Sequence, residues 1–268
     1  MMKMFPIKTS GPSYKKDEKF IALIPYSGFC NRLRSIYSYY QLSLDENKPF
    51  VIIWRSCMEE VCVGNILDYY EKIPNVDYII VNNKKFQRIT KELNLKYMDT
   101  LLEDDFGTMK YFNCISSGGV YEMGGKYCGK WTHLFKELNL KDHMQNIINT
   151  NKDKLGKYIA IHIRRTDHVW LAKYHNKYTC DDEFINFINK FDNNKNIYIA
   201  TDNEHTYNKF KNKYPNRIKF NYHKTNKNSL RKTSLEDAII DIYMCVYSDD
   251  FMGSGWSSFS DLIKSLRI

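Results

Sequence analysis

One segment, KYIAIHIRRTDHVW at 157–170, constrains this chain more than any other. It is apolar at Ile159, Ala160, Ile161 and Ile163, a run of strand length that needs burial. Two arginines, a threonine and an aspartate follow at once. A buried strand that ends in permanent cations fits an architecture whose strand ends meet a ligand. Open α/β sheets are built that way, with ligands beyond the carboxyl ends of the strands.

The rest of the chain repeats strand and helix in turn. FIALI (20–24), the loop PYSGFCN and a helix over about 31–44 lead to the strand FVIIW (50–54). Leu33, Ile36, Tyr37, Tyr40 and Leu44 share one face of that helix. This is the β-loop-α-β opening of a doubly wound sheet. VDYIIV (76–81) is a further strand, and the glycine-rich SSGGVYEMGGKYCG (116–129) reads as loop. WTHLFKELNLKDHMQNIINT (131–150) reads as a helix bridging two halves. Beyond it come the strand YIAIHI, the helix DDEFINFINKF, the strand NIYIATDN, the helix EHTYNKFKNKYP and a short strand candidate, IKF. In SLEDAIIDIYMCVYS, Ser234 and Asp237 form a capping box, and Ala238, Ile239, Ile242, Cys245 and Val246 make the apolar face. The strand DDFMG, the loop SGWSS and a terminal helix close the chain. The expected fold is α/β: two Rossmann-like halves with a cleft between them, a single sheet being the alternative. The expected division is a mobile tail at 1–18, an N-terminal αβ domain at 19–149 and a C-terminal Rossmann-like domain at 150–268.

Composition narrows the functional classes. The 268 residues suffice for one large domain or two ordinary ones. No apolar run approaches the length of a membrane span, and the first twenty residues lack the apolar core of a signal peptide, so a cytoplasmic protein is expected. The seven cysteines have no CxxC spacing and read as reduced thiols, not a zinc site or disulfide framework. The net charge of +9 suits an anionic partner. Lysine is scattered among asparagines, with no basic stripe carrying interleaved aromatics. A phosphorylated ligand is therefore preferred to nucleic acid, which stays as an alternative.

Three strand ends carry polar groups. YIAIHI runs into Arg164, Arg165, Thr166 and Asp167; NIYIA into Thr201 and Asp202; DDFMG into Ser254, Gly255, Trp256, Ser257 and Ser258. The arginines supply planar donors that suit phosphate bidentately. The last group supplies amides and hydroxyls just before a helix, a natural anion seat. Arg32 and Arg34 open the first helix, where cations oppose the helix dipole unless an anion binds. Gly28 before that helix permits close backbone approach. The alternatives are that the arginines form ion pairs or point to solvent. Acidic runs at 103–105, 181–183 and 248–250 read as helix starts or loops, not a metal cluster.

These stretches carry a resemblance. HIRRTD is similar to the His-x-Arg-Arg-Thr-Asp motif of the α1,6-fucosyltransferases, to which the nodulation-factor and protein O-fucosyltransferases are related. IYIATDN resembles that family's second motif, and SLEDAIIDIYMCVYSDDFMGSGWSSFSDLI its third. GFCNRLRSIYSYY resembles the loop-helix that faces the cleft and brings in Gly28, Asn31 and Arg32. The four occur in the family's order. The resemblance implies a GT-B-like fold and an inverting, metal-independent glycosyltransferase with GDP-fucose as donor, a glycan as acceptor and no required cofactor. It implies that Arg164 holds the β-phosphate, that His162 lies beside the nucleotide, that Asp241 reads the guanine edge and that Ser257 contacts phosphate. Arg165, Asp202 and Ser258 shape the site. The family's glutamate after the motif is absent, its position falling near Ala172. His168 is a candidate base because its ordinary pKa lies near neutrality, and Asp167 is the other option. Another nucleotide sugar, or a nucleotide cleft without catalysis, stands as the alternative.

Overall fold

A computed structural model describes residues 21–26, 28–56, 63–81, 97–101, 108–111, 114–118, 138–166, 168–220 and 233–267. The chain begins with β1 (Ile21–Tyr26), α1 (Phe29–Glu46), β2 (Phe50–Arg55) and β3 (Val76–Val81). Next come β4 (Tyr97–Leu101), β5 (Thr108–Tyr111) and β6 (Cys114–Gly118). Their sheet has the order β3-β2-β1-β6-β5-β4. β3, β2, β1 and β6 run parallel, and β5 and β4 extend the sheet antiparallel. β2 is apolar at every position from Val51 to Trp54, and each of those residues is buried, as a strand flanked on both edges and both faces requires.

The second half comprises α2 (Asp142–Leu155), β7 (Tyr158–Ile163), α3 (His168–Tyr174), α4 (Asp181–Ile188) and β8 (Asn196–Thr201). It continues with α5 (Glu204–Lys213), α6 (Leu235–Val246), β9 (Asp250–Gly253) and α7 (Ser258–Leu266). Its parallel sheet has the order β8-β7-β9. β7 is buried throughout, so its alternation divides the core. Ile159, Ile161 and Ile163 join Phe184 and Ile188 of α4 and Phe210 of α5. Tyr158 and Ala160 face the other way, into a cluster with Ile239 and Ile242 of α6 and Leu262 and Ile263 of α7. That same cluster contains Leu23, Leu33, Ile36, Tyr37 and Trp54 of the N-terminal half. One continuous core therefore joins the halves, with α1 packed on α7.

The architecture is the expected α/β one, with local departures. α1 starts at Phe29, and Leu44, expected on its apolar face, is 54% exposed because the chain turns away at Asn47. Of the expected bridging helix, 131–137 lie outside the described residues, 138–141 are not helical, and α2 begins at Asp142: Leu140 forms an antiparallel bridge with Tyr70, and the N–H groups of Glu71 and Lys141 bond to Asn139 and Tyr69. α2 also runs through position 150. The first three residues of the expected glycine-rich loop, Ser116–Gly118, are the end of β6. IKF is not a strand; the Ile197 N–H of β8 donates to the Arg217 carbonyl just before it, at 2.9 Å. The tail at 1–18 lies outside the described residues.

Candidate active site

The site grows from the three parallel strand ends. Ser254, the residue after β9, ties them together. Its N–H donates to the His162 carbonyl at 2.9 Å, and its hydroxyl also donates there and accepts from the Arg164 N–H at 2.8 Å. The Thr201 hydroxyl donates to the Ile163 carbonyl at 2.7 Å, closing β8 onto β7. These bonds satisfy backbone groups that the end of a ladder leaves open.

Asp202 is the hub. Its carboxylate accepts from the Arg164 guanidinium, from the Arg165 N–H at 3.0 Å and from the Thr166 hydroxyl at 2.6 Å. Thr166 has φ 54°, the left-handed region that a non-glycine residue enters only when its surroundings hold it there. The ion pair that the sequence left open for the arginines is therefore formed at Arg164. The guanidinium is paired with Asp202 at the strand-end rim, and its side chain keeps 14% exposure.

Arg165 departs further from a phosphate-binding role. Its guanidinium donates to Asp181 at 2.5 Å and to the Thr179 carbonyl at 3.2 Å, and it lies over the rings of Tyr178 and Phe184. It fastens α4 to the strand end. Asp181 also accepts from Lys209 at 2.6 Å. Burial alone raises the Asp181 pKa, but the Lys209 and Arg165 hydrogen bonds and charges outweigh it and hold the carboxyl below its ordinary value.

His162 continues the inner face of β7. Its Nδ1 shares a 2.8 Å hydrogen bond with the Ser260 hydroxyl, and its ring stacks on Phe259 with centroids 4.4 Å apart. The imidazole is buried and joins β7 to the first turn of α7. Gly253 makes that approach feasible, since a Cβ there would lie 2.6 Å from Ser260 Cβ. Ser257 is the buried N-cap of α7 and Ser258 its first residue. Asp241, read from sequence as lying at the margin of α6, is buried and accepts from the Tyr198 hydroxyl of β8 at 2.7 Å. Burial, and then this carboxylate, push the Tyr198 pKa well up. Sequence reasoning missed Ser254, Ser260 and Tyr198 as partners, because no local pattern links a strand residue to one about forty to a hundred positions away.

The loop-helix residues divide. Gly28 is the N-cap of α1 at φ −64°, a backbone any residue adopts, so no conformational demand requires glycine there. Asn31 lies half-buried in the first turn. Arg32 is fully buried with its guanidinium 4.8 Å from the centre of the Trp54 ring. A desolvated cation–π contact is worth about 2 kcal/mol, more than the dipole penalty of at most about 1 kcal/mol. Arg34 pairs with Asp261 of α7 at 3.1 Å. Asp167 and the His168 side chain lie outside the described residues; the His168 backbone opens α3.

Comparison with known proteins agrees with this picture. Residues 129–268 match the model of the GDP-fucose protein O-fucosyltransferase family. No curated protein matches the chain in sequence. Among solved structures, NodZ α1,6-fucosyltransferase soaked with GDP-fucose is 16% identical, with 93% of this chain and 92% of that one covered at a TM-score of 0.58. Fucosyltransferase NodZ from Bradyrhizobium is 15% identical over 92% and 93%, at 0.56. POFUT1 in complex with GDP-fucose is 10% identical over 96% of each chain, at 0.63. These likenesses identify the fold as GT-B-like.

Proposed function

We propose, from the premise that this chain belongs to the GDP-fucose protein O-fucosyltransferase family and is a glycosyltransferase, that it transfers fucose from GDP-fucose to a glycan with inversion and without a metal. The observation that carries the reading is a coincidence of two boundaries. The family match spans 129–268, and the three strand ends that gather Arg164, Asp202, Ser254 and Ser257 all lie within it. Of the solved structures of the same fold, NodZ was soaked with GDP-fucose and POFUT1 is in complex with it.

In this reading the Arg164 guanidinium grips the β-phosphate, aimed by its pairing with Asp202. The N-terminus of α7, with Ser257 as N-cap, adds amide dipoles on the same side. Tyr198 orients the Asp241 carboxylate toward the guanine edge. His162, through Ser260, fixes the angle at which α7 meets the sheet. As the bond from the sugar carbon to the diphosphate oxygen breaks, its electron pair stays with GDP. Cation and dipoles already in place stabilise that charge without reorganising. The acceptor oxygen attacks the opposite face and gives up its proton to a base, His168 or Asp167, the two residues after Thr166 in sequence. Among the described residues no helix is long and apolar enough to cross a membrane.

The test is incubation with GDP-fucose and a printed glycan array, with GDP release and sugar transfer measured with and without EDTA. Transfer that survives EDTA and gives the anomer opposite to the donor's is expected. Transfer from UDP-sugars instead, or retention of configuration, overturns the reading.

A further inference from the structure

Helix α3 presents an unusual surface. Trp170 and Tyr174, one turn apart, are 72% and 71% exposed. Their ring planes lie within 18° of each other, with centroids 5.9 Å apart. Tyr174 meets His175 edge-on at 5.0 Å, and His175 stacks on Trp256 at 4.0 Å. A ladder of rings thus runs from the exposed helix into the loop between β9 and α7.

That loop is the one that carries Ser257. Gly255, beside Trp256, donates its N–H to the Thr179 hydroxyl at 2.9 Å and lies against the Lys177 carbonyl. Trp256 itself has φ 54°, a left-handed backbone that its neighbours must hold. The aromatic surface is therefore braced against the candidate nucleotide cradle, and α3 begins just after the Arg164–Thr166 turn.

The chemistry of the patch limits its occupant. No exposed aliphatic residue accompanies the two rings: the other large exposed hydrophobics among the described residues are Leu44, Val63 and Tyr247, all on other elements. Two rings are too small an area for a stable protein interface. Flat aromatic faces with polar edges suit a ligand that is itself flat, apolar on its faces and polar around its rim. A pyranose ring is such a ligand: its C–H bonds meet the ring face and its hydroxyls stay in water. Lys173, between the two aromatics in sequence, is exposed and polar.

We propose that Trp170 and Tyr174 form an acceptor subsite on which saccharide rings stack while the acceptor hydroxyl reaches the sugar donor. The proposal deepens the glycosyl-transfer reading and rests on it. It is tested by saturation-transfer NMR with free cellotetraose, chitotetraose, maltotetraose and mannotetraose, alongside a serine- and threonine-containing peptide library and a single-stranded oligonucleotide. Unaltered protein, Trp170→Ala, Tyr174→Ala and Trp170→Phe are compared, and GDP affinity is measured separately by calorimetry. At least one tetrasaccharide should bind the unaltered protein. Each alanine variant should weaken it by about tenfold or more, and Trp170→Phe by less than about threefold. GDP affinity should stay the same in all variants. Because both side chains are largely exposed, their truncation leaves the core untouched. The proposal is overturned if no tetrasaccharide binds, if the alanine variants bind as the unaltered protein does, or if the peptides or oligonucleotide engage the rings in place of saccharides. Failure of the unaltered protein to bind GDP counts against the nucleotide reading alone; the saccharide measurements decide the subsite.

Discussion

Single residues at the strand ends do two jobs, holding the fold and setting out charge. Asp202 shows it best: it binds three donors from consecutive residues, and its side chain is 7% exposed. Asp202→Asn keeps the shape and removes the charge that pairs with Arg164. Breaking a buried pair this way should cost about 3 kcal/mol in urea denaturation; a cost near zero would mean that Arg164 does not depend on Asp202. Asp181 gives a pH test. Its folded pKa lies below the ordinary carboxylate value of about 3.9, so its stabilisation is present above that pH and is lost as pH falls through it. Asp181→Asn should therefore lower stability by about 1 kcal/mol at pH 7, since the group is partly solvated, and the gap should narrow as pH falls through the lowered folded pKa. A gap that persists at low pH would argue that the carboxylate's charge is not what matters. Arg164 was legible as a strand-end cation because four apolar residues precede it. The partners of Arg165 and Arg32 were not: Asp181 and the Trp54 ring are brought in by the fold, and two arginines with the same local signal ended as a fastener and a core residue.

Elements were most legible where local signals agree. The Ser234–Asp237 capping box is present, with the Ser234 hydroxyl accepting from the Asp237 N–H at 3.0 Å and the Asp237 carboxylate accepting from the Ser234 N–H at 3.2 Å. Ser234→Ala should cost α6 about 1 kcal/mol by thermal denaturation, and no measurable change would show that packing alone fixes the helix start. β7 and β8 were plain from their apolar runs. The start of α2 was not, because Leu138 and Leu140 continue a helical spacing that the bridge to Tyr70 overrides. The loop between β9 and α7 shows how closely elements meet. A Cβ at Gly255 would sit 2.1 Å from the Lys177 carbonyl oxygen, so Gly255→Ala must move backbone. It should cost about 1–3 kcal/mol and disturb the Ser257 region, seen as amide shifts across that loop; an undisturbed spectrum would mean the loop has slack that its contacts do not suggest.

At the scale of the whole molecule, the two sheets share one core through α1, α6 and α7. The halves should therefore open together. Leu262→Ala, within that core, should cost about 2–5 kcal/mol and lower the hydrogen-exchange protection of β2 and β7 equally, whereas an effect confined to β7 would show independent domains. The shared core packs α1 against α7. In the proposed reading, a diphosphate meets the arginine that Asp202 holds. Calorimetric titration of GDP into the unaltered protein and Arg164→Ala tests this most directly. The account predicts binding by the unaltered protein and a loss of about a hundredfold in the folded variant, as one charged hydrogen-bonding partner disappears. Equal GDP affinity in the two proteins would contradict it.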